Sequence, residues 1–172
     1  MKYNIDLLLL QSKEEFEFEF FYGGVLSQWK SCAFVENDIT FNCTEQYMMY
    51  KKAMLFGDYK TANNILMLDD PRFIKSLGRK VKNFDESVWD VHKYDIVKKG
   101  NLLKFSQNKE LHDYLISTDD KILVEASKFD TIWGIGLPEY SENIKDITSW
   151  KGTNLLGFAL MEVRDCLKGI LE

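Results

Sequence analysis

The stretch "FVENDITFNCTEQYMMYKKAMLF", residues 34 to 56, changes its pattern halfway along. Its first half is rich in aromatic and β-branched residues around Asn37-Asp38, a pair typical of tight turns, and so predicts two short strands. In its second half, Thr44 can cap a helix that extends to about Phe56. Strands that lead directly into a helix predict a protein of the α+β class.

The segments on either side extend this pattern to the whole chain. Residues 16 to 21, "FEFEFF", alternate aromatic and acidic side chains as a half-buried strand does, and residues 121 to 126, "KILVEA", predict another strand. Further helices are marked by start residues Asp58, Pro71 and Asp85 and by stop residues Gly78 and Gly100. A closing helix carries an apolar stripe at Leu156, Leu160, Val163, Leu167 and Ile170. We therefore predict a single helix-rich α+β domain over residues 1 to 172, with a small antiparallel sheet.

Composition limits the classes of function. The net charge of −5 argues against broad binding to nucleic acid, but not against recognition of one nucleotide in a pocket. The three cysteines are an odd number without a CxxC pair, which favours reduced thiols over a disulfide framework or a zinc site. The apolar run near the N-terminus is too short for a signal core or a membrane span. These features predict a cytoplasmic protein with no membrane association; the oligomeric state is not readable.

Glu45 and Lys52 are the first candidate site residues. They lie seven residues apart, which places them on one face of the predicted helix, and Glu45 falls in its first turn. A carboxylate and an amine that project into one cavity can stabilise a cationic transition state and move a proton. The alternative is that both are solvated surface charges.

The loop "KFDTIWGIGL", residues 128 to 137, is the second candidate. It follows a strand, a common position for functional side chains, and it combines Asp130, Trp133, Gly134 and Gly136. The indole offers a flat face for a heterocycle, and Asp130 can bind a sugar hydroxyl or assist a water molecule. The alternative is a packed tryptophan in a glycine-rich turn.

Two further groups are weaker candidates. Trp89 shares a helix face with His92, a pattern more typical of packing than of a ligand site. Lys75 and Arg79 lie in a basic stretch suited to a phosphate or pyrophosphate, or simply to a solvated face. The sequence contains neither GxGxxG nor a P-loop, so these cations are not part of a Rossmann or Walker site.

The order of several motifs resembles one known family. After "GGVLSQW" come "FNCTEQYMMYKKAMLFGD", "DPRFIKSLGRKV", "FDESVW", "GNLLKFSQN", "LVEASKFDTIWGIGL" and "WKGTNLLGFALMEVR". This series, over roughly residues 16 to 170, resembles the NADAR (YbiA-like) family. The resemblance implies a single α+β domain with N-glycosidase activity and neither a metal nor another cofactor.

The resemblance also implies a phosphorylated ribosyl substrate, of one of two kinds. Some members of the family remove ADP-ribose from guanine bases of nucleic acid, which would enter the site one base at a time. Others cleave ribosylamino-pyrimidine intermediates of riboflavin synthesis and release ribose 5-phosphate. A third reading, from another class of protein, is a non-catalytic ADP-ribose or NAD reader, although a reader needs neither the acid nor the lysine.

Site residues carry over by motif. The helix acid and lysine of the family match Glu45 and Lys52, and its mid-chain tryptophan matches Trp89. The D-x-x-W-G motif matches Asp130, Trp133 and Gly134, the late G-x-N-x-L-G matches Gly152, Asn154 and Gly157, and the early G-x-x-S region brings in Ser27.

From these matches we expect Glu45, Lys52 and Asp130 to be catalytic. Lys52 can form a Schiff base with the opened sugar or neutralise phosphate. One departure is that Trp29 is followed by Lys30-Ser31-Cys32, where many relatives have an aromatic residue and a proline. This difference bears on substrate preference more than on catalysis.

Overall fold

The computed structural model describes residues 1 to 11 and 16 to 169. Within them the helices and strands are, in chain order, α1 (Ile5–Leu10), β1 (Phe18–Phe21), β2 (Phe34–Glu36), β3 (Ile39–Phe41), α2 (Thr44–Leu55), α3 (Tyr59–Leu66), α4 (Pro71–Gly78), α5 (Glu86–Gln107), α6 (Lys109–Ser117), β4 (Ile122–Glu125) and α7 (Leu155–Leu167). The predicted helix-rich α+β class is confirmed. None of the helices in these residues is long and apolar enough to cross a membrane.

The chain divides into two compact units. The central unit comprises Gln28–His112, and the terminal unit comprises Met1–Ser27 together with Asp113–Glu172. The single domain predicted over residues 1 to 172 stays a prediction.

A hairpin opens the central unit. Strands β2 and β3 pair antiparallel, with Phe34 opposite Phe41. Asn37 and Asp38 both have positive φ values, 49° and 64°, as required at the two central positions of a hairpin turn whose twist matches its strands. The two predicted strands and their turn are confirmed.

Helix α2 packs its Tyr47 ring against this hairpin. The Tyr47 ring centroid lies 6.0 Å from that of Phe34 and 5.0 Å from that of Phe41. On the other side, Gly100 of α5 approaches Tyr47 so closely that a Cβ there would lie 2.6 Å from the ring. The prediction that Gly100 ends its helix is therefore wrong. This glycine permits close packing in the middle of α5, which continues to Gln107.

The predicted helix starts at Asp58, Pro71 and Asp85 are confirmed. The Asp58 carboxylate accepts a hydrogen bond from the Thr61 N–H at 3.2 Å, and Asp85 accepts one from the Ser87 N–H at 2.9 Å. Pro71 is the first residue of α4, where its missing N–H has no helical partner to lose. Gly78 is the last residue of that helix.

A parallel strand pair organises the terminal unit. Strand β1 pairs with β4 in a register that runs from Phe18 opposite Ile122 to Phe21 opposite Glu125. The predicted small antiparallel sheet is present as the β2–β3 hairpin, and the described residues also contain a second two-stranded sheet, β1–β4, which is parallel and was not predicted. The long, mostly helical segment between β1 and β4 supplies the crossover connection that a parallel pair requires.

Helix α7 covers β4. Leu156, Leu160 and Val163 of the predicted stripe are buried, Leu167 is half-buried, and Ile170 lies outside the described residues. The first three residues of β4 are buried as well, as expected for a strand covered on both faces. The predicted apolar stripe is confirmed as far as Leu167.

Lys104 is a fully buried lysine in the central unit. Its exposed fraction is 0%, its Nζ lies 4.7 Å from the centroid of the Phe105 ring, and burial lowers its pKa to about 8. The unfolded chain, with a pKa near 10.5, binds this proton more tightly than the folded protein. The contribution to stability is therefore complete above the unfolded pKa and is lost as the pH falls towards 8.

We expect this burial to make stability depend on pH. From about pH 7 to about pH 9.5, the free energy of unfolding of the wild type should rise by about 2 kcal/mol relative to Lys104→Met. Urea unfolding at both pH values measures the difference. Lys99→Met, which removes an exposed lysine from the same helix, should parallel the wild type. Equal pH dependence in wild type and Lys104→Met would contradict the argument.

Candidate active site

The N-terminus of α2 holds a buried acid. Glu45 lies in the first turn of the helix and is only 3% exposed. Its backbone N–H donates a hydrogen bond to the Gln28 carbonyl at 3.0 Å. Glu45 is therefore not the solvated surface charge of the alternative interpretation.

Thr44 begins α2 but does not cap it. The N-cap residue is Cys43, and the Thr44 hydroxyl instead donates to the Gln28 carbonyl at 3.1 Å. The predicted Thr44 cap is thus wrong by one residue, because the hydroxyl is engaged by a segment distant in sequence. The result is a first turn fixed by two hydrogen bonds to one carbonyl.

Gln28 ties this turn to the rest of the central unit. Its Nε2 lies 3.6 Å from the Met48 sulfur, and Asn101 Nδ2 donates to its Oε1 at 3.4 Å. Gln28 is buried, and so is Asn101 on α5. Sequence reasoning missed both Gln28 and Asn101. A single amide side chain next to apolar residues does not show that it will be buried or bonded to a distant segment.

Lys52 lies two turns further along α2, in an aromatic setting. Its Nζ lies 4.1 Å from the centroid of the Phe84 ring and 5.6 Å from that of Trp89. Burial, and to a smaller extent the positive charge of Arg79, lowers the pKa of the Lys52 ammonium below its ordinary value. Sequence reasoning did not single out Phe84 as a site residue, although it is the first residue of the motif "FDESVW".

Trp89 contributes its ring to the Lys52 cluster. It is half-buried near the start of α5, whereas His92, one turn later, is exposed. The structure therefore brings Trp89 close to Lys52, as expected if both belong to one site. His92, by contrast, points to solvent and is not part of this cluster.

The two predicted phosphate ligands lie on and just after α4. Lys75 is half-buried, with its Nζ 6.0 Å from the centroid of the Trp29 ring, and Arg79 is exposed at the end of the helix. They are four residues apart and so lie on one helical face. Two cations at this spacing can bind two neighbouring phosphate groups.

In the terminal unit, the Asp130 carboxylate stabilises the loop that it belongs to through hydrogen bonds to backbone N–H groups. One of its carboxylate oxygens accepts the N–H of Ile132 at 3.0 Å and of Trp133 at 2.7 Å. Trp133 is half-buried. Ser27, also half-buried, donates its backbone N–H to Gly24 at 3.3 Å.

Asn154 holds this loop against β4. It has a left-handed φ of 52°, is 0% exposed, and uses both ends of its amide. Oδ1 accepts the Glu125 N–H at 3.0 Å, and Nδ2 donates to the Leu123 carbonyl at 2.9 Å. Its backbone N–H donates to the Gly134 carbonyl at 3.2 Å. This geometry favours a positioning role for Asn154 over direct contact with a ligand.

Gly152 and Gly157 allow the same close approach. A Cβ on Gly152 would lie 2.7 Å from the Cα of Thr131, and one on Gly157 would lie 2.6 Å from the Asn154 amide nitrogen. The late glycines of the motif are therefore needed to seat the loop beside the start of α7.

We expect Asn154→Ala to lower the free energy of unfolding by about 2–5 kcal/mol, because it leaves a buried N–H and a buried carbonyl of β4 without partners. Chemical denaturation measures this loss. Asn63→Ala, at an exposed position on α3, should change stability by less than about 0.5 kcal/mol. A comparably small effect of Asn154→Ala would show that the amide does not hold β4.

Comparisons with known proteins point in one direction. The sequence model of the NADAR domain matches residues 19 to 168. The chain is 42% identical over 163 residues to N-glycosidase R617 of Acanthamoeba polyphaga mimivirus, a match that covers 87% of this chain and 95% of the relative. It is 30% identical over 118 residues to N-glycosidase YbiA of Escherichia coli, covering 69% of this chain and 67% of the relative. The NMR structure of E. coli YbiA is similar with a TM-score of 0.74 at 26% identity, covering 90% of this chain and 87% of that one.

Proposed function

This chain belongs to the NADAR domain family, and on that premise we propose that it removes ADP-ribose from modified guanine bases in nucleic acid. At the coarser level it is a hydrolase acting on N-glycosyl compounds, in keeping with the N-glycosidase names of its relatives. The bond to be cut joins C1′ of the ribose to a base nitrogen.

The observation that carries the proposal is the combination of a buried acid and a low-pKa lysine on α2. Glu45 is buried in the first turn, and Lys52 follows two turns later on the same face, about 10 Å along the helix axis. A protein that only reads ADP-ribose needs neither a buried carboxylate nor an amine with a lowered pKa. This pair therefore supports catalysis over simple binding.

The role proposed for Glu45 follows from the charge that develops in the reaction. As the C1′–N bond breaks, positive charge builds on the ribose ring. A carboxylate fixed beside C1′ stabilises that charge and orients the attacking water, as in glycoside hydrolysis. The two hydrogen bonds to the Gln28 carbonyl fix the turn that carries this carboxylate.

Lys52 is proposed as the nucleophile. Burial and the neighbouring Arg79 charge lower the pKa of the Lys52 ammonium, which increases the share of neutral, nucleophilic amine at a given pH. Its nitrogen forms a bond to C1′ while the C1′–N bond to the base breaks, and the base leaves with the proton that the amine loses. The sugar ring then opens as the lysine N–H proton passes to the ring oxygen, which leaves a Schiff base between Lys52 and C1′. Water adds to C1′, the amine departs with a proton, and the resulting aldehyde closes again to give ADP-ribose with a hydroxyl at C1′.

The remaining site residues are proposed to bind substrate. Trp89 stacks on a ring of the ligand, while Lys75 and Arg79 bind phosphate. Their spacing on one face suits the diphosphate of ADP-ribose better than the single phosphate of a ribosylamino-pyrimidine.

In the terminal unit, we propose that Asp130 and Trp133 contact the ribose hydroxyls and the base, and that Ser27 binds at the ribose-phosphate end. A Cβ on Gly134 would lie 2.8 Å from the Glu125 carbonyl oxygen, so this glycine allows the loop to approach β4 and does not leave room for substrate. Asn154 positions the loop that carries Asp130 and Trp133.

Two substrates presented separately test the proposal. The protein is incubated with single-stranded DNA that carries ADP-ribosylated guanine and with a ribosylamino-pyrimidine phosphate, and the released base is followed by chromatography. We expect release from the DNA only, and none with Glu45→Gln. Release from the pyrimidine alone would overturn the substrate, and calorimetric binding of ADP-ribose without turnover of either substrate would overturn catalysis.

A further inference from the structure

Three exposed aromatic rings surround a cavity in the terminal unit. The cavity has a volume of about 380 Å³ and is lined by Tyr22, Lys128, Phe129, Pro138, Glu139 and Tyr140. Phe129 is 86% exposed, Tyr140 is 83% exposed and Tyr22 is 65% exposed. Such a group of large rings in water loses the free energy that burial would give, and it is the usual mark of a binding surface.

The cavity is built on the two ends of the Asp130 loop. Lys128 and Phe129 directly precede Asp130, while Glu139 and Tyr140 follow shortly after its last glycine. The loop is closed by a hydrogen bond from the Gly136 N–H to the Asp130 carbonyl at 3.1 Å. A ligand in this cavity would therefore lie beside the loop that carries the family motif.

The cavity has two charged lining residues, the cation Lys128 and the acid Glu139, which can recognise different parts of a nucleotide. The Lys128 Nζ lies 5.6 Å from the centroid of the Phe129 ring, so a ring stacked on Phe129 would have a cation near its edge. An ammonium in this place can bind a phosphate of the backbone. Glu139 offers only acceptor oxygens, which pair with the exocyclic amino groups of adenine, cytosine and guanine. Thymine and uracil have no amino group and offer only their ring N3–H.

We propose that this aromatic cavity binds an unpaired base next to the target nucleotide in single-stranded nucleic acid. The inference rests on the proposed function and deepens it, since it specifies that the nucleic acid substrate is single-stranded. Flat rings of every base can stack on exposed aromatic side chains, which gives affinity with little dependence on sequence. The acidic total charge of the chain opposes extensive contact with phosphates, so the proposed contact uses stacking and a single cation, Lys128.

The first test is binding of unmodified five-nucleotide single strands, measured by fluorescence anisotropy. Phe129→Ala and Tyr140→Ala should each weaken binding about 10-fold or more. Tyr59→Ala, which removes a 63% exposed ring on α3, should change affinity by less than about twofold. Lys128→Ala should lower the slope of log affinity against log salt by about 0.7.

Base preference tests Glu139. The wild type should bind an adenine or cytosine strand more tightly than a thymine strand. Glu139→Ala should reduce that difference, because it removes the acceptor for the amino group.

The second test compares substrates of different length. For Phe129→Ala, the ratio of the KM for an ADP-ribosylated five-nucleotide strand to the KM for ADP-ribosylated guanosine should rise about 10-fold over the wild-type ratio. An unchanged ratio together with unchanged binding of unmodified strands would overturn the inference. So would binding of proline-rich peptides, rather than of single strands, that depends on Phe129.

The two proposals fail in different ways. If neither modified substrate is turned over but single strands still bind through Phe129 and Tyr140, the cavity assignment stands and the proposed substrate falls. If both substrates are turned over with an unchanged KM ratio, the proposed function stands and the cavity assignment falls.

Discussion

Glu45→Gln is expected to lower kcat about 10³-fold with little change in KM, because it removes the charge that stabilises the ribosyl cation while keeping the shape of the side chain. Single-turnover release of the base measures the effect directly. Circular dichroism and thermal unfolding establish that the variant is folded.

Two further variants make the Glu45 result specific. Glu45→Asp keeps the charge but withdraws it from the substrate, so its rate should lie between those of the wild type and Glu45→Gln. Glu110→Gln removes an exposed acid from the first turn of α6 and should retain the wild-type rate. A folded Glu45→Gln with wild-type turnover would show that the charge-stabilising group lies elsewhere.

Lys52 is expected to produce the second large effect, about 10²–10⁴-fold in kcat for Lys52→Met. Because its pKa is lowered below the ordinary 10.5, the neutral amine forms at lower pH, and kcat should rise with pH and level off before pH 10.5. Lys52→Met should lose this rise. A pH profile of kcat for both proteins is the measurement.

Lys52→Arg separates the two possible roles of the side chain. Arginine keeps the positive charge but is not deprotonated in this pH range, so a nucleophilic role predicts loss of activity, whereas phosphate neutralisation predicts its retention. Borohydride reduction during turnover should add the mass of a reduced sugar to the wild type. Lys60→Met, at an exposed position of α3, should behave as the wild type. Full activity in Lys52→Arg with no trapped adduct would exclude the covalent step.

Local signals in the sequence predicted much of the fold. The turn at Asn37-Asp38, the caps at Asp58 and Asp85 and the start at Pro71 involve residues only two to four positions apart, so a short stretch of sequence contains both partners. The α+β class follows from the same signals.

Distant contacts account for the predictions that were wrong. Thr44 fails to cap α2 because its hydroxyl donates to the Gln28 carbonyl, and Gly100 fails to end α5 because Tyr47 packs against it. In the same way, β1 pairs with β4, a strand about 100 residues away in the sequence, and the long segment between them permits the parallel arrangement. Each of these outcomes depends on a partner that no local pattern specifies.

For the site, the order of motifs predicted roles for Glu45 and Lys52, and the sequence by itself determined which residue types stand at those positions of one helix. Only the tertiary structure decided what those groups can do. Burial of Glu45 and the lowered pKa of Lys52 arise from Gln28, Phe84, Trp89 and Arg79, which other segments bring to α2. The reason is physical: the reactivity of a charged group depends on the water excluded around it and on the charges nearby, and both are properties of the folded chain.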